Sequence, residues 1–517
     1  MKLNRLILAA FAAVAVFACN KPEPEPEPKD TTPAELKSFA LLKADNADIL
    51  TEDVTVETIA PTMVVRIPGG GAGKTLVAAV TAGENDVIKA NGKEAVDGKI
   101  TFDASAPVDI IVTNTKSELT ATYEVKVGKI LATVASFVGS HTEPDAVMGS
   151  DCRIAINPKD NSPYILYTRK KTVDGTAEKN NRLSVIRWDG TAFAAVGSLG
   201  FTDVDRQAIM CDLSFCGETP YVLSYGETAA SIAGVRKFTG TEWEPVGEKG
   251  FSEKVNTTYG KPQLVFVGNN PSFVTTGNPA KTEPGYRNAV RYNFDGTSWN
   301  YTAQIPGIPL YGAKGGNDGI FYSAVPAVNS KGEIYYVMSC NLYGYYLYTL
   351  NGSSWEKVID NFLPTGEEFG IPTNLDLKFG PNDNLYLLAA SSKAAQEQVY
   401  RFNATSKTFE PYGNMLQLTA GSNGSVAESM LFDVNPQSGE IIGIMIKEKK
   451  PSLAVIDENR QWTEFKDFAN TDTAGGDTAL AMGADGVAYY AFIAKSESGT
   501  TSVELYKIGL EEDILPE

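Results

Sequence analysis

The sequence is poor in the residues that most often do chemistry. His141 is the one histidine among 517 residues, so a metal site built on two histidines is excluded, and Ser-His or Cys-His catalysis would have to run through that single ring. Cysteine is scarce as well, with five in all. Cys152, Cys211, Cys216 and Cys340 follow no zinc spacing, and they read as small buried hydrophobes, with Cys152–Cys211 the one pairing to test. Cations are outnumbered, 45 Lys+Arg against 63 Asp+Glu for a formal net charge of −18, which argues against an electrostatic grip on nucleic-acid phosphates or anionic lipid headgroups. No cofactor, metal or nucleic-acid partner is expected from such a composition.

What is present begins with an address. Lys2 and Arg5 precede an apolar run from Leu6 to Phe17, which is too short to span a bilayer, and Val16-Phe17-Ala18-Cys19 closes it. Residues 1–18 are expected to be a lipoprotein signal peptide, with the lipid carried on the thiol of Cys19. Residues 19–32 form a tether, because Lys21-Pro-Glu-Pro-Glu-Pro-Glu-Pro-Lys29 suits neither helix nor sheet and extends as self-repelling polyproline II. Lipidated cysteine plus charged Pro/Glu tether resembles the outer-membrane lipoproteins of glycan-foraging Gram-negative anaerobes. The resemblance implies an outer-membrane anchor through Cys19 and display at the cell surface.

Residues 33–128 carry short alternating stretches such as Met63-Val-Val-Arg-Ile67, Leu76-Val-Ala-Ala-Val80 and Val108-Asp-Ile-Ile-Val112. Period two over such short runs predicts half-buried strands, and their number predicts an immunoglobulin-like β-sandwich. The opening Lys37-Ser-Phe-Ala-Leu-Leu-Lys-Ala-Asp-Asn46 and closing Thr122-Tyr-Glu-Val-Lys-Val127 resemble the Ig-like or cadherin-like domains of unknown function found in such lipoproteins. Gly69-Gly-Gly-Ala-Gly-Lys-Thr75 mimics a phosphate-binding loop, but Pro68 stands where its first glycine belongs and a strand-like run comes next. Without a helix N-terminus there is no phosphate cradle.

Residues 129–517 contain an internal repeat of about 50–60 residues. Its mark is an aromatic, a short turn and a second aromatic: Trp188-Asp-Gly-Thr-Ala-Phe193, Phe238-Thr-Gly-Thr-Glu-Trp243, Phe294-Asp-Gly-Thr-Ser-Trp299 and Leu350-Asn-Gly-Ser-Ser-Trp355, degenerating through Phe402–Phe409 and Ile456–Trp462. Between these turns recur hairpins whose second strands are rich in Tyr and Val, beginning near Cys152, Cys211, Pro262, Tyr322, Asn374, Ser429 and Ala479. Four strands per repeat, seven times over, predict an all-β chain ending in a seven-bladed β-propeller, with six blades as the alternative. The last repeat lacks its fourth strand, and residues 129–138 are expected to supply it and close the ring. The pattern is loosely similar to kelch and NHL propellers. It departs from the sialidase Asp-box, since Asp189-Gly190 and Asp295-Gly296 are adjacent.

Function is sought in irregular loops. The longest, Ile305 to Gly319, leads into a unit dense in tyrosine, and Tyr311, Asn317, Asp318, Tyr322 and Tyr343 are the candidate ligand-binding residues. Aromatic faces stack on sugar rings while Asn and Asp hydrogen-bond hydroxyls; the competing reading buries these tyrosines between blades. Asp203 and Asp205 beside Arg206, Glu367 with Glu368, and Asp383 read as solvated loop charges, and His141 as a residue of the loop entering the first blade. Asp472-Thr-Ala474 and Asp477-Thr-Ala479 resemble a short bacterial O-glycosylation pattern. No catalytic residue is assigned. The expectation is a lipid-anchored, non-catalytic surface protein capturing a glycan or protein partner, with a polysaccharide-active lyase or glycosidase and an envelope-assembly protein as alternatives.

Overall fold

The computed structural model describes residues 30–511 except 51–52, 57, 68–70, 72, 130–131, 174–175, 203–206, 260, 314, 316–317, 342, 363–371, 392–394, 419–429 and 457–459. Cys19, most of the Pro/Glu segment and Asn317 lie outside the described residues, as do Asp203, Asp205, Arg206, Glu367 and Glu368. The fold is all-β, and the chain divides into two compact units, Met1–Leu131 and Ala132–Glu517. Among the described residues no helix is long and apolar enough to cross a membrane.

Among the described residues the first unit holds two sheets. One runs in the order Val54–Thr55, Leu36–Leu41, Thr75–Ala82, Lys99–Asp103, and the other Thr62–Ile67, Thr120–Lys129, Val108–Asn114, Asp86–Ala90, Lys93–Glu94. Alternate residues point inward because side chains in a strand leave opposite faces. Leu36, Phe39, Leu76 and Phe102 from the first sheet meet Met63, Val65, Ile110 and Val112 from the second in a single core. Thr75–Ala82 is a strand, so Lys74 and Thr75 open no helix. Lys129 still belongs to this unit, since Thr120–Lys129 pairs in parallel with Thr62–Ile67 through Lys129 itself.

Among the described residues the second unit holds seven antiparallel sheets, each with a four-stranded path; in six of them the strands follow chain order, and the last takes its fourth strand from the start of the unit. Sheet 1 is Ala146–Ile156, Pro163–Val173, Arg182–Trp188 and Phe193–Ala195. Sheet 2 is Ile209–Cys216, Thr219–Tyr225, Ala233–Phe238 and Trp243–Pro245; sheet 3 is Val265–Val267, Asn270–Thr276, Ala289–Phe294 and Trp299–Thr302. Sheet 4 is Phe321–Val328, Ile334–Cys340, Gly344–Asn351 and Ser354–Phe362. Sheets 5 and 6 begin with Pro372–Phe379 and Met430–Val434. Sheet 7 is Asp472–Met482, Ala488–Lys495 and Thr501–Leu510, and its fourth strand is Thr133–His141, paired antiparallel with Thr501–Leu510 from Thr133↔Leu510 to His141↔Val503. The strand beside Thr501–Leu510 therefore starts four residues later than 129, because the first unit's ladder holds the chain through Lys129. His141 is the last residue of that strand and not a loop residue.

The turn motif is explained by what it touches. Trp243 Nε1 donates to the Val196 carbonyl and Trp299 Nε1 to the Val246 carbonyl, each at 2.7 Å, so each tryptophan fastens its sheet to the outer strand of the preceding one. Gly197 and Gly247, both at φ +73°, come directly after those carbonyls, and a Cβ there would crowd Trp243 and Phe294 respectively. Gly139 faces Phe193 and Trp188 of sheet 1 in the same way. The closing strand thus receives sheet 1 as any outer strand receives the next sheet.

Apolar cores join sheet to sheet around the whole set. Leu166 and Val185 of sheet 1 pack with Leu213 and Val222 of sheet 2; Leu223 and Val235 of sheet 2 pack with Phe273 and Tyr292 of sheet 3. Sheets 3 and 4, 4 and 5, 5 and 6, and 6 and 7 share cores likewise. Ile493 and Leu505 of sheet 7 then pack with Ile165 and Tyr167 of sheet 1, so the sequence of interfaces closes on itself. Cys152 belongs to that last core and Cys211 to the core of sheets 1 and 2; the two thiols lie on different sides of sheet 1, and the one pairing to test, between them, is not formed. Thr473 is buried within its strand, closed to modification in the folded chain.

Candidate functional site

In a four-stranded meander, the turns joining strands 1–2 and 3–4 leave one edge of the sheet, while turns 2–3 and the links to the next sheet leave the other. The Asp-Gly-Thr turns sit on the first edge and are built for regularity. Asp189 accepts from the Thr191 and Ala192 N–H groups, and Asp295 from those of Thr297 and Ser298. These bonds, led by Ala192 for Asp189 and Ser298 for Asp295, hold both carboxyls down to about 2. The repeat aspartates are turn caps.

The second edge carries the irregular links and the aromatic cluster. Arg287, in the 2–3 connection of sheet 3, sits at φ +55°, a region a side-chain-bearing residue adopts at a cost and one that collects at functional sites. Its carbonyl accepts from Phe321 N–H at 3.0 Å, and Asn288 Oδ1 accepts from Tyr311 N–H at 2.8 Å, fastening this connection to the start of sheet 4. The guanidinium carbon lies 5.5 Å from the Tyr286 ring centre and 5.3 Å from that of Tyr311, within cation–π range of both. Tyr286 and Tyr311 meet edge-on at 5.4 Å, and Tyr259 meets Tyr322 edge-on at 4.9 Å. Burial raises the Tyr322 phenol, with Tyr259 adding and Arg287 opposing, so the cation and this second pair lie within electrostatic reach. All five side chains are half-buried, leaving ring surface open.

Two of the five sequence candidates, Tyr311 and Tyr322, fall in this cluster. Asp318 and Tyr343 instead pair with each other, Tyr343 Oη donating to Asp318 Oδ2 at 3.1 Å, and Asp318 is buried. Burial and that carboxylate raise the Tyr343 phenol. Tyr336, Tyr345, Tyr346 and Tyr348 are buried among the sheets. Tyr259, Tyr286 and Arg287 escape a reading of the sequence because they lie in two different connections; the signal open to it is a Tyr-Arg pair directly after Pro284-Gly285.

His141 belongs to a buried network on the same edge. Tyr167 Oη donates to Glu143 Oε1 at 2.6 Å, Arg169 pairs with Glu143 Oε2 at 2.5 Å, and His141 Nε2 lies 3.2 Å from Tyr167 Oη. The tyrosine proton is committed to Glu143, so its lone pair faces His141 and assigns the imidazole proton to Nε2. Burial lowers the His141 pKa and drives that of Tyr167 far upward. A covered, protonated Tyr167 is a poor base, and the network reads as a tie between sheets 7 and 1. Among the described residues no cluster of His, Cys, Asp and Glu has the geometry to hold a metal ion. Asp383 accepts from Ser330 N–H and hydroxyl, bridging two turns.

A second charged set lies on the first strands. Burial pushes the Asp212 carboxyl up to about 6, against the pull of Leu264 N–H, Arg153 and Lys378. Burial works against the charge on Lys378, but Asp376, Asp433 and Asp212 outweigh it and raise its pKa. Strands of sheets 1, 2, 5 and 6 thus place charges within reach of one another. Asp212 Oδ2 accepts from Leu264 N–H at 2.7 Å and Asp433 Oδ2 from Met482 N–H at 3.0 Å, each joining its sheet to the next. Because the Asp212 pKa is raised on folding, the folded state holds more protons than the unfolded between about pH 4 and 6, and the stability this group contributes at low pH is lost as pH rises through that window. The expected magnitude is roughly 2–3 kcal/mol. Urea midpoints of Asp212→Asn measured from pH 4 to 7 should show that fall reduced; an unchanged pH profile would contradict the assignment.

No family model and no curated protein matches the chain. Among solved structures it is similar to AofleA from Arthrobotrys oligospora, with 11% identity, 66% of this chain and 90% of that one covered, and a TM-score of 0.39. A variant of the Aleuria aurantia lectin in complex with Fucα1-6GlcNAc gives 10%, 58%, 94% and 0.38, and polysaccharide lyase Uly1 gives 10%, 72%, 91% and 0.41. Likenesses this distant assign no function, and the site rests on its own residues.

Proposed function

We propose that this protein is a lipid-anchored, non-catalytic capture protein of the outer-membrane surface that holds a glycan. In this reading the seven sheets of the second unit are the blades of a β-propeller, and the first unit is an Ig-like sandwich that, with the Pro/Glu tether, carries the propeller away from a lipid on Cys19. The observation that carries the function is the grouping of Tyr259, Tyr286, Tyr311 and Tyr322 about Arg287. Half-exposed aromatic faces take the apolar face of a sugar, and a guanidinium fork orients its oxygens. Binding without chemistry fits the polar groups that the fold commits elsewhere: Asp318, in the loop after Tyr311, accepts from Tyr343, and at the tie between sheets 7 and 1 Glu143 and Tyr167 are bound to each other.

The test is equilibrium binding of the protein to a panel of polysaccharides, with product release monitored in the same samples. Saturable binding without cleavage is expected, weakened about 10-fold or more by Tyr311→Ala or Tyr322→Ala. Release of oligosaccharides that survives both substitutions would replace capture with catalysis elsewhere.

A further inference from the structure

We infer that the Arg287 cluster takes a carboxylate-bearing sugar, a uronic-acid polymer, and not a neutral glycan. This rests on the capture reading above and narrows it to one ligand class. The protein as a whole is acidic, with a formal net charge of −18, and its surface therefore repels polyanions in general. The stretch that builds this edge inverts that balance. From residue 249 to 288 the sequence carries Lys249, Lys254, Lys261, Lys281 and Arg287 against only Glu253 and Glu283.

Two of these cations, Lys254 and Lys281, lie on adjoining segments. Lys254 lies in the link from sheet 2 to sheet 3 and Lys281 in the 2–3 connection of sheet 3, and the two segments are joined by Asn278 N–H donating to the Lys254 carbonyl at 2.7 Å. Both lysines are exposed. The link bearing Lys254 also walls a pocket of about 220 Å³ with Ala229, Ala230, Ser231 and Ile232. Asn256, buried in the same link, accepts from the N–H groups of Thr258 and Tyr259 and so positions the Tyr259 backbone. A linear polymer crossing this edge meets stacking faces at Tyr259, Tyr311 and Tyr322, among connections that also carry Lys254 and Lys281.

Chemistry selects a carboxylate at the centre. A guanidinium presents parallel N–H donors whose spacing matches the two oxygens of a carboxylate, whereas a neutral hydroxyl uses one donor at a time. Tyr286 and Tyr311 both lie within cation–π range of the guanidinium, and packing against them limits the freedom left to lose when the acid docks.

Three polymers separate the outcomes when titrated by calorimetry: polygalacturonate, the same polymer with its carboxyls reduced to alcohols, and a sulfated galactan. Polygalacturonate should bind at least about 10-fold more tightly than the reduced polymer, and more weakly as salt rises. Arg287→Gln should remove that preference, and Arg287→Lys should restore only part of it. Since Arg287 packs in a strained loop, the exposed double variant Lys254→Gln/Lys281→Gln gives an independent arm, expected to reduce the salt dependence of binding in a fully folded protein. Equal binding of acidic and reduced polymers, lost in Tyr311→Ala, would overturn the acid preference and leave glycan capture standing. Preference for the sulfated polymer would overturn the carboxylate and retain an anionic site. Binding of none of the three would count against the capture reading itself.

Discussion

A chain that begins at Thr142 is expected not to fold, whereas one that begins at Ala132 should fold as a unit by itself. The two differ by ten residues that include the whole of Thr133–His141, the strand that pairs with Thr501–Leu510 over eight registered positions. Removing it exposes the long edge of Thr501–Leu510 and uncovers Ala135 and Val138 contacts in the cores that sheet 7 shares with sheets 6 and 1. It also removes Gly139, against which Trp188 and Phe193 of sheet 1 close. Small domains have net stabilities of about 5–15 kcal/mol, less than a full interface of this kind supplies, and a free edge of that length invites pairing between chains. Gel filtration and circular dichroism settle it: aggregation or loss of native β signal for the shorter chain, and a monomeric, cooperatively unfolding species for the longer. A monomeric and cooperative shorter chain would mean that the seven interfaces do not depend on closure.

The second large effect is expected at Glu143. Its two oxygens serve Tyr167 and Arg169, and the side chains of Glu143 and Arg169 are each 6% exposed. Glu143→Ala leaves a buried guanidinium without that partner, and breaking a buried pair from one side costs about 3–5 kcal/mol. Asp145, 3.7 Å from Arg169 and more than half exposed, recovers only a small part of this. Glu143→Gln keeps an acceptor for Tyr167 and should cost less, and Tyr167→Phe, which removes the bond to Glu143 and the one from His141, about 1–2 kcal/mol. Urea unfolding at neutral pH gives the three values. The order Ala, then Gln, then Phe is the discriminating feature, and a Glu143→Ala variant as stable as the parent would show that the ion pair contributes nothing net.

The same region has a pH signature opposite in sign to that of Asp212. Burial depresses the His141 pKa from 6.5, so its contribution to stability is complete above that value and is lost as pH falls below it, where the unfolded chain takes up the proton first. Both effects meet in mildly acidic solution, and the substitutions separate them.

Local sequence makes the strands and turns legible. Asp-Gly and Asn-Gly mark tight turns because each couples a carboxylate or amide cap to a residue tolerant of positive φ, a property of a few adjacent residues. The Trp and Val-Gly elements that flank them are legible as a repeat, although what each tryptophan touches, the carbonyl of Val196 or Val246 in the preceding sheet, is not. Strand ends are less legible: Lys129 runs without a break into Ile130 and Leu131 in the sequence, and only the parallel ladder from Thr62 to Ile67 decides that it belongs to the first unit. Tyr343 and Asp318 look like ligand-facing neighbours of Tyr311 in the chain, yet they pair with each other beside the core of sheet 4.

By itself, then, the sequence determined an acidic, histidine-poor, all-β chain with a repeating four-strand unit, because composition and period depend on neighbours no more than a few residues apart. Tertiary structure alone decided that Tyr259, Tyr286, Arg287, Tyr311 and Tyr322 come together on one edge, that Asp212 senses Arg153 and Lys378, and Lys378 also Asp433, and that His141 is spent on a tie between the last sheet and the first. Each of these arrangements joins residues from separate connections or sheets. Their proximity comes from how packed sheets place their edges, and no local pattern carries that information.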